Sequence, residues 1–199
     1  MNHKKHVLLY VPEDNSKNVT VEKYEEWRDA AKAIEIADFL YERHFRRYLK
    51  PFTFDSQDYK SNYKNGFSMM ASYCLLIETI EGFYRGWPKS RNELAFMKFF
   101  TRDKHFTEFA VSDIPSQFYK NIRCGILHQG ETSGGWLISR NSSDPLISNA
   151  NKTINANKFG SKLQKSLEDY TSELKQSDWN SELWKHAKER MKSLIKNCA

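Results

Sequence analysis

The chain has 199 residues, of which 39% are hydrophobic and 14% aromatic, and it carries a formal net charge of +6. This length allows one domain with a sizeable core, and the composition excludes wholesale disorder. Three scattered cysteines, Cys74, Cys124 and Cys198, are typical of a reducing compartment. No apolar run is long enough to span a bilayer. We therefore expect one cytoplasmic domain, residues 1–199, that contacts no membrane.

The first elements alternate helices with polar connections. Val7 to Val11 predicts a short strand, and apolar residues three and four apart predict one amphipathic helix from Thr20, as N-cap, to just before Pro51. Residues 51–65 are polar and form a connection. The segment Gly66 to Arg85 is apolar on nearly every side, which predicts the central helix of a bundle. Glu93 to Thr101 predicts a third helix.

Five basic residues close the first predicted helix: Arg43, His44, Arg46, Arg47 and Lys50. Cations at this end suit the helix dipole, and the same residues could also form a basic lip for an RNA backbone. The net positive charge leaves the same choice open, because a solvated lysine-rich surface explains it as well as a polyanionic partner does.

The stretch from Ile114 to Thr132 predicts a further helix of about four turns. Pro115 suits its first turn, apolar residues recur every four positions, and Gly130 supplies the stop. Arg123 and His128 lie near its end, about 140° apart around an ideal helix and about 7.5 Å apart along it. The long Arg side chain can still reach the same rim as the imidazole.

The remaining chain predicts an insertion followed by two helices. Residues 134–140 and 148–159 read as two short strands or extended arms around a turn at 141–145, and we assign no chemistry to the Asn-rich stretch 149–157. Apolar stripes from 157 to 197 predict the C-terminal helices. The sequence thus predicts an all-α bundle with a core of about 20–132 and a small extended or β-hairpin insertion of about 134–156.

The segment Arg123-Cys-Gly-Ile-Leu-His128 resembles the Arg-x4-6-His motif of the HEPN superfamily, and the residues flanking it, Phe118-Tyr119 and Gln129 to Thr132, are similar too. HEPN domains are small helical bundles, and many are metal-independent ribonucleases of toxin–antitoxin, abortive-infection and other defence systems. The resemblance implies a HEPN-like bundle with Arg123 and His128 as catalytic residues. It also implies RNA as substrate, a homodimer in which two motif helices line one cleft, and an antitoxin or other regulatory protein as partner.

The chemistry of this pair agrees with that expectation. The sequence has no phosphate-binding Gly-rich loop, no zinc-ligand pattern and no nucleophile elbow, so we expect neither a metal nor a cofactor. A 2′-hydroxyl can attack its own 3′-phosphate while His128 transfers a proton and Arg123 stabilises charge on the phosphate. A second acid–base group is needed, and a two-fold dimer would supply it.

Three further residues, Glu78, Tyr119 and Cys124, are expected to support the pair. Glu78 interrupts an apolar helix and must be paired or protonated, either in a structural salt bridge or as a group that orients Arg123 or His128. Cys124 stands where active HEPN members often have a polar residue, and a thiol donates only weakly. For Gly125 we expect close approach of another backbone at the dimer interface.

Two alternatives to a ribonuclease stay open. One is a catalytically inactive HEPN-like module that binds RNA, nucleotide or a partner protein. The other is an unrelated helical interaction protein in which Arg123 forms an internal ion pair and His128 caps a helix end. The sequence specifies no RNA target.

Overall fold

The structure, a computed structural model, describes residues 8–10, 18–53, 62 and 64–197. These residues are mainly helical, as predicted. The helices are α1 (Val21–Asp29), α2 (Ala33–Tyr48), α3 (Gly66–Arg85), α4 (Glu93–Arg102), α5, α6 (Ala156–Gln176) and α7 (Glu182–Asn197), with 3-10 turns at Lys50–Phe52 and Lys104–Phe109. α5 is built of three consecutive segments, α-helical Ile114–Gln117, π-helical Phe118–Cys124 and α-helical Gly125–Gln129.

Five short strands complete the described chain: β1 (Leu8–Tyr10), β2 (Val19–Thr20), β3 (Leu137–Ser139), β4 (Ile147–Ser148) and β5 (Thr153–Asn155). β1 pairs antiparallel with β2, which agrees with the predicted N-terminal strand. Its predicted end residues, Val7 and Val11, most of the 51–65 connection and Cys198 lie outside the described residues. No helix among the described residues has the length and apolarity needed to cross a membrane.

The single helix predicted from Thr20 to just before Pro51 is wrong, because the chain forms two helices there. Thr20 caps the first of them as predicted, its hydroxyl accepting the Lys23 amide at 3.1 Å. The break follows at Ala31, whose φ is 52°, in the left-handed region that non-glycine residues rarely adopt. Apolar spacing continues across the break without a Gly or Pro, so the sequence pattern does not mark it.

α3 is the central helix, and an aromatic cluster packs beside it. Met70, Cys74 and Ile77 of α3 are fully buried, as the all-round apolar pattern predicts. The cluster consists of Phe96, Phe99, Phe100, Phe106, Phe109, Phe118 and Phe159, each 1% exposed or less. Burying each ring stabilises the fold by about 1.5–3 kcal/mol. The cluster ties α4 and α6 to the first half of α5, and so fixes where α5 lies against α3.

The insertion after α5 forms three strands rather than the predicted two. β4 and β5 form an antiparallel pair, and β3 adds to β5 in parallel, giving the order β3-β5-β4. One residue of the Asn-rich stretch has a clear structural role: Asn155 is fully buried, caps α6 by accepting the Lys158 amide at 3.1 Å, and donates to the Asn141 carbonyl at 2.6 Å. Its side chain therefore links the turn to the start of α6.

A basic lip made of all five cations at the end of α2 is wrong, because two of them are buried. Arg43 and His44 are 8% and 4% exposed. The His44 ring packs edge-on against Phe83 at 5.2 Å. Burial, reinforced by the charges of Arg43 and Arg47, lowers the pKa of His44 to about 3.

The buried neutral His44 predicts that stability falls in mild acid. Below its ordinary pKa of 6.5, the imidazole takes up a proton in the unfolded chain but not in the folded one until about pH 3. The free energy of unfolding should therefore decrease as pH falls through this window, by up to about 1.4 kcal/mol per pH unit from this group. Urea titrations of wild type and His44→Gln at several pH values measure the difference in slope.

The same titrations at pH 8 provide the control, since His44 is then neutral in both states and only the packing cost of the substitution remains. We expect the variant to lose stability less steeply than wild type between pH 6.5 and 4. Parallel curves for the two proteins across this range would contradict a buried neutral imidazole.

Candidate functional site

The candidate site lies where the second half of α5 crosses α3. Arg123 of α5 donates from Nε to Oε1 of Glu78 at 2.9 Å. Both side chains are largely buried, at 15% exposure for Arg123 and 10% for Glu78. The Glu78 carboxylate, placed among apolar neighbours on α3, thus has its counter-charge. The sequence left open whether Glu78 forms a structural salt bridge or orients Arg123 or His128. The observed ion pair is a salt bridge and also orients Arg123.

Arg123 also contacts His128, the other half of the predicted motif. Its NH1 lies 3.2 Å from His128 Nε2, and His128 is exposed. A guanidinium only donates, so Nε2 accepts here, which places the ring proton of the neutral imidazole on Nδ1. The lone pair of Nε2 is therefore directed at Arg123, and it becomes available to another donor when that contact opens. The structure brings the two residues together although an ideal helix would set them about 140° apart.

The length of the Arg123 side chain explains this meeting, because the backbone that leads to His128 is α-helical from Gly125 to Gln129. A π-helical segment, Phe118–Cys124, comes before this stretch and contains Arg123 itself. Hydrogen bonds in a π-helix run between residues five apart, so the segment changes the side of the helix on which Arg123 lies relative to the preceding turn. This segment is the feature of the site that sequence reasoning missed, and neither Gly nor Pro occurs within it to signal it.

Electrostatics at Arg123 favour the charged form. Burial by itself lowers its pKa, but the hydrogen bond and the charge of Glu78 outweigh burial, and the net pKa is raised. Tyr119 completes one wall, with its ring centroid 5.7 Å from Arg123 Cζ and 5.6 Å from the Phe96 ring. Burial, with a contribution from Cys124, raises the pKa of Tyr119. The guanidinium is therefore a fixed cation.

Cys124 belongs to the same cluster. It is half-buried, and its thiol raises the pKa of both Arg123 and Tyr119. The thiol thus occupies the sequence position at which HEPN motifs have a polar residue after the Arg, and it acts on Arg123. The second cysteine nearby, Cys74, is fully buried on α3, and burial raises the pKa of its thiol.

Gly125 does have a backbone close by, but the expectation that a second chain supplies it is wrong. A Cβ at Gly125 would clash with the carbonyl oxygen of Glu131 and lie 3.3 Å from the Ser133 amide nitrogen. The chain itself returns over the helix, because the Ser133 amide and hydroxyl donate to the backbone and side-chain oxygens of Asn121, each at 2.9 Å. Gly130, with φ of 72°, makes the turn. This loop holds the end of α5 that carries His128.

Other polar groups lie apart from this cluster. Glu81, one turn further along α3, is fully buried. It accepts a hydrogen bond from Nε of Arg102 at 2.9 Å and so belongs to a separate ion pair. Among the residues that the structure describes, no group of three or more His, Cys, Asp or Glu side chains is placed to hold a metal ion. The site therefore consists of a fixed cation, an adjacent exposed imidazole and the carboxylate that anchors the cation.

Comparisons of this chain with protein-family models, with curated proteins and with solved structures gave no match. The chemistry of the site thus has to follow from its own residues. A guanidinium beside an imidazole can stabilise an anion and transfer a proton to or from a group bound next to it.

The Glu78–Arg123 pair predicts strong coupling in a double-mutant cycle. Removing one partner leaves the other charge largely buried, so Glu78→Gln or Arg123→Gln should each lower the free energy of unfolding by about 3 kcal/mol. The double variant should lose less than the sum, with a coupling energy of about 1–3 kcal/mol from denaturant unfolding.

The exposed pair Lys23–Glu26, 2.9 Å apart, gives a matched control, for which we expect a coupling below about 1 kcal/mol. Additive losses for Glu78 and Arg123 would show that the two side chains do not pair in solution.

Proposed function

We propose that this protein is a metal-independent endoribonuclease of the HEPN type, acting as a toxin or in defence. The observation that carries the proposal is the contact between Arg123 and His128, 3.2 Å from NH1 to Nε2, at an exposed helix end. The Arg-x4-His spacing supports the family, and the mainly helical fold is compatible with it.

The geometry suits an attack of a 2′-hydroxyl on the adjacent phosphorus. His128 Nε2 carries the lone pair that takes the proton of the 2′-hydroxyl, while the bond from O2′ to phosphorus forms. The bond from phosphorus to O5′ breaks, and the leaving oxygen takes a proton. The products are a 2′,3′-cyclic phosphate and a 5′-hydroxyl end. Neither bond change requires an oxidant or another co-reactant.

Arg123 would hold the phosphate in this reaction. Because Glu78 binds Nε, the guanidinium cannot rotate freely, and its NH1 side faces His128 at the surface. A phosphate oxygen that replaces His128 as the acceptor would sit next to Nε2, the atom proposed to take the proton. Preorganised donors of this kind stabilise developing charge without rearrangement. The carboxylate thus acts on the reaction through Arg123.

We propose that the active form is a two-fold homodimer. Cyclisation needs one group to accept a proton and another to donate one, and His128 is the only imidazole that the described part of each chain brings to Arg123. Two copies of α5 meeting at this end would place two imidazoles and two guanidinium groups in one cleft. A regulatory protein such as an antitoxin would then act by covering this cleft.

The decisive test is incubation of purified protein with mixed RNA in the presence of EDTA. We expect cleavage by wild type, 2′,3′-cyclic phosphate ends on the products, and a loss of at least about 100-fold in rate for His128→Asn and for Arg123→Gln. His105→Asn is the matched control, because His105 is bonded to Asp169 at 2.8 Å, outside the cluster, and should leave the rate unchanged.

Intact RNA with folded, dimeric wild type would overturn the ribonuclease and favour the inactive binding module. Cleavage that persists in His128→Asn would show that the activity belongs to another site or a contaminant.

A further inference from the structure

A second cationic surface lies at the C-terminal end of α3 and is not part of the candidate site. Gly86, with φ of 63°, ends the helix, and Arg85, Trp87, Lys89 and Arg91 surround the turn into α4. Three of these are exposed cations, and Trp87 is half-buried. We call these four residues the basic corner.

The basic corner carries positive charge that its neighbours do not cancel. Lys89 and Arg91 have no acidic partner among the described residues. Arg85 lies 3.5 Å from Glu81, but this carboxylate is already bound by Arg102, so two guanidinium groups share one negative charge. The corner therefore offers several cations to a polyanion.

Arg91 and Trp87 contact each other within the corner, and we call this pair the platform. The Arg91 guanidinium carbon is 5.1 Å from the centroid of the Trp87 ring, a cation–π contact that holds the exposed guanidinium in place. Unpaired bases stack on guanidinium planes as well as on aromatic rings. Combined with the free charges, a stacking plane fits single-stranded nucleic acid better than a duplex, whose bases are already stacked.

The turn that presents the platform is anchored to the body of the protein. Arg190 of α7 donates from NH1 to the carbonyl oxygens of Trp87 at 3.0 Å and Pro88 at 2.7 Å. Ser193 donates to the Pro88 oxygen as well, at 3.0 Å. Fixed donors and planes lose little entropy when a ligand binds, so a preorganised turn favours affinity.

The corner lies about two turns of α3 away from the residue that anchors Arg123. Arg85 follows Glu78 by seven residues on α3, which places the two about 20° apart around the helix and about 10.5 Å apart along it. From the other side, the start of α4 contacts α5, with Glu93 accepting the Ser116 hydroxyl and Phe96 packing against Tyr119. A strand of a few nucleotides is long enough to cover this separation along α3.

We propose that the basic corner binds the single-stranded RNA that flanks the phosphate held by Arg123. This inference rests on the proposed function, because it takes the strand to be the substrate of that site. Arg85 and Lys89 neutralise phosphates, and Arg91, backed by Trp87, stacks on a base. The corner thus favours unpaired RNA over duplex RNA as substrate.

The test measures binding of a fluorescent single-stranded 12-mer RNA to the full chain carrying His128→Asn, at several salt concentrations. Arg91→Lys keeps the charge but loses the plane, so we expect an unchanged salt slope and an affinity lower by about fivefold or more. Arg91→Gln should lose at least this affinity, whereas Lys89→Gln should lose about 0.7 of the slope of log K against log salt, the amount expected for one phosphate contact.

The matched control is Lys165→Gln, which removes an exposed, unpaired cation from α6, and we expect affinity and slope to stay as in the parent. Equal binding by the Arg91 variants and the parent would overturn the corner as an RNA site, as would a tighter affinity of the parent for duplex than for single-stranded RNA. Binding is measured without cleavage, so these results are independent of whether wild type cuts RNA in EDTA.

Discussion

An ion pair between two helices, Glu78 of α3 and Arg123 of α5, is the interaction on which the candidate site depends. α3 is buried on nearly every side, and a carboxylate on such a helix requires a counter-charge. Arg123 supplies it at 2.9 Å, and its guanidinium is thereby fixed with one side toward the surface. The loop over Gly125 then holds His128 within reach. The same ion pair therefore neutralises the buried carboxylate in the core and positions Arg123 next to His128.

The arginines near α3 fall into two groups according to the acids that α3 provides. Glu78 and Glu81, three residues apart and both buried, each bind an Arg from another helix, Arg123 and Arg102. Both guanidinium groups neutralise a buried carboxylate. Arg123 has its proposed role in addition, because its NH1 also reaches the surface. Beyond Glu81 the described part of α3 offers no further acid, and the cations of the basic corner face solvent. We infer that α3 anchors Arg123 for the reacting phosphate, while the turn after α3 carries Lys89 and Arg91 for the flanking strand.

Sequence patterns predicted most of the helices because burial imposes the 3.6-residue period directly. The central helix and the Thr20 cap follow from residue type and spacing alone. The break at Ala31 and the π-helical segment that contains Arg123 did not, since tertiary contacts impose both backbone conformations and no Gly or Pro marks them. A backbone does lie close to Gly125, as predicted, but it belongs to the same chain and not to a second one. The partner of Glu78 stayed open, because residue spacing does not determine which helices meet. Arg123, 45 positions away, was one of the candidates.

The most direct measurement of the central claim is a crystal structure of the protein with an RNA strand whose nucleotide at the cleavage position lacks the 2′-hydroxyl. Our account predicts a phosphate within hydrogen-bonding distance of Arg123, the 2′ carbon facing His128 Nε2, and Arg123 Nε still bound to Glu78. It would be contradicted by a phosphate bound elsewhere on the surface, with Arg123 and His128 making no contact to the strand.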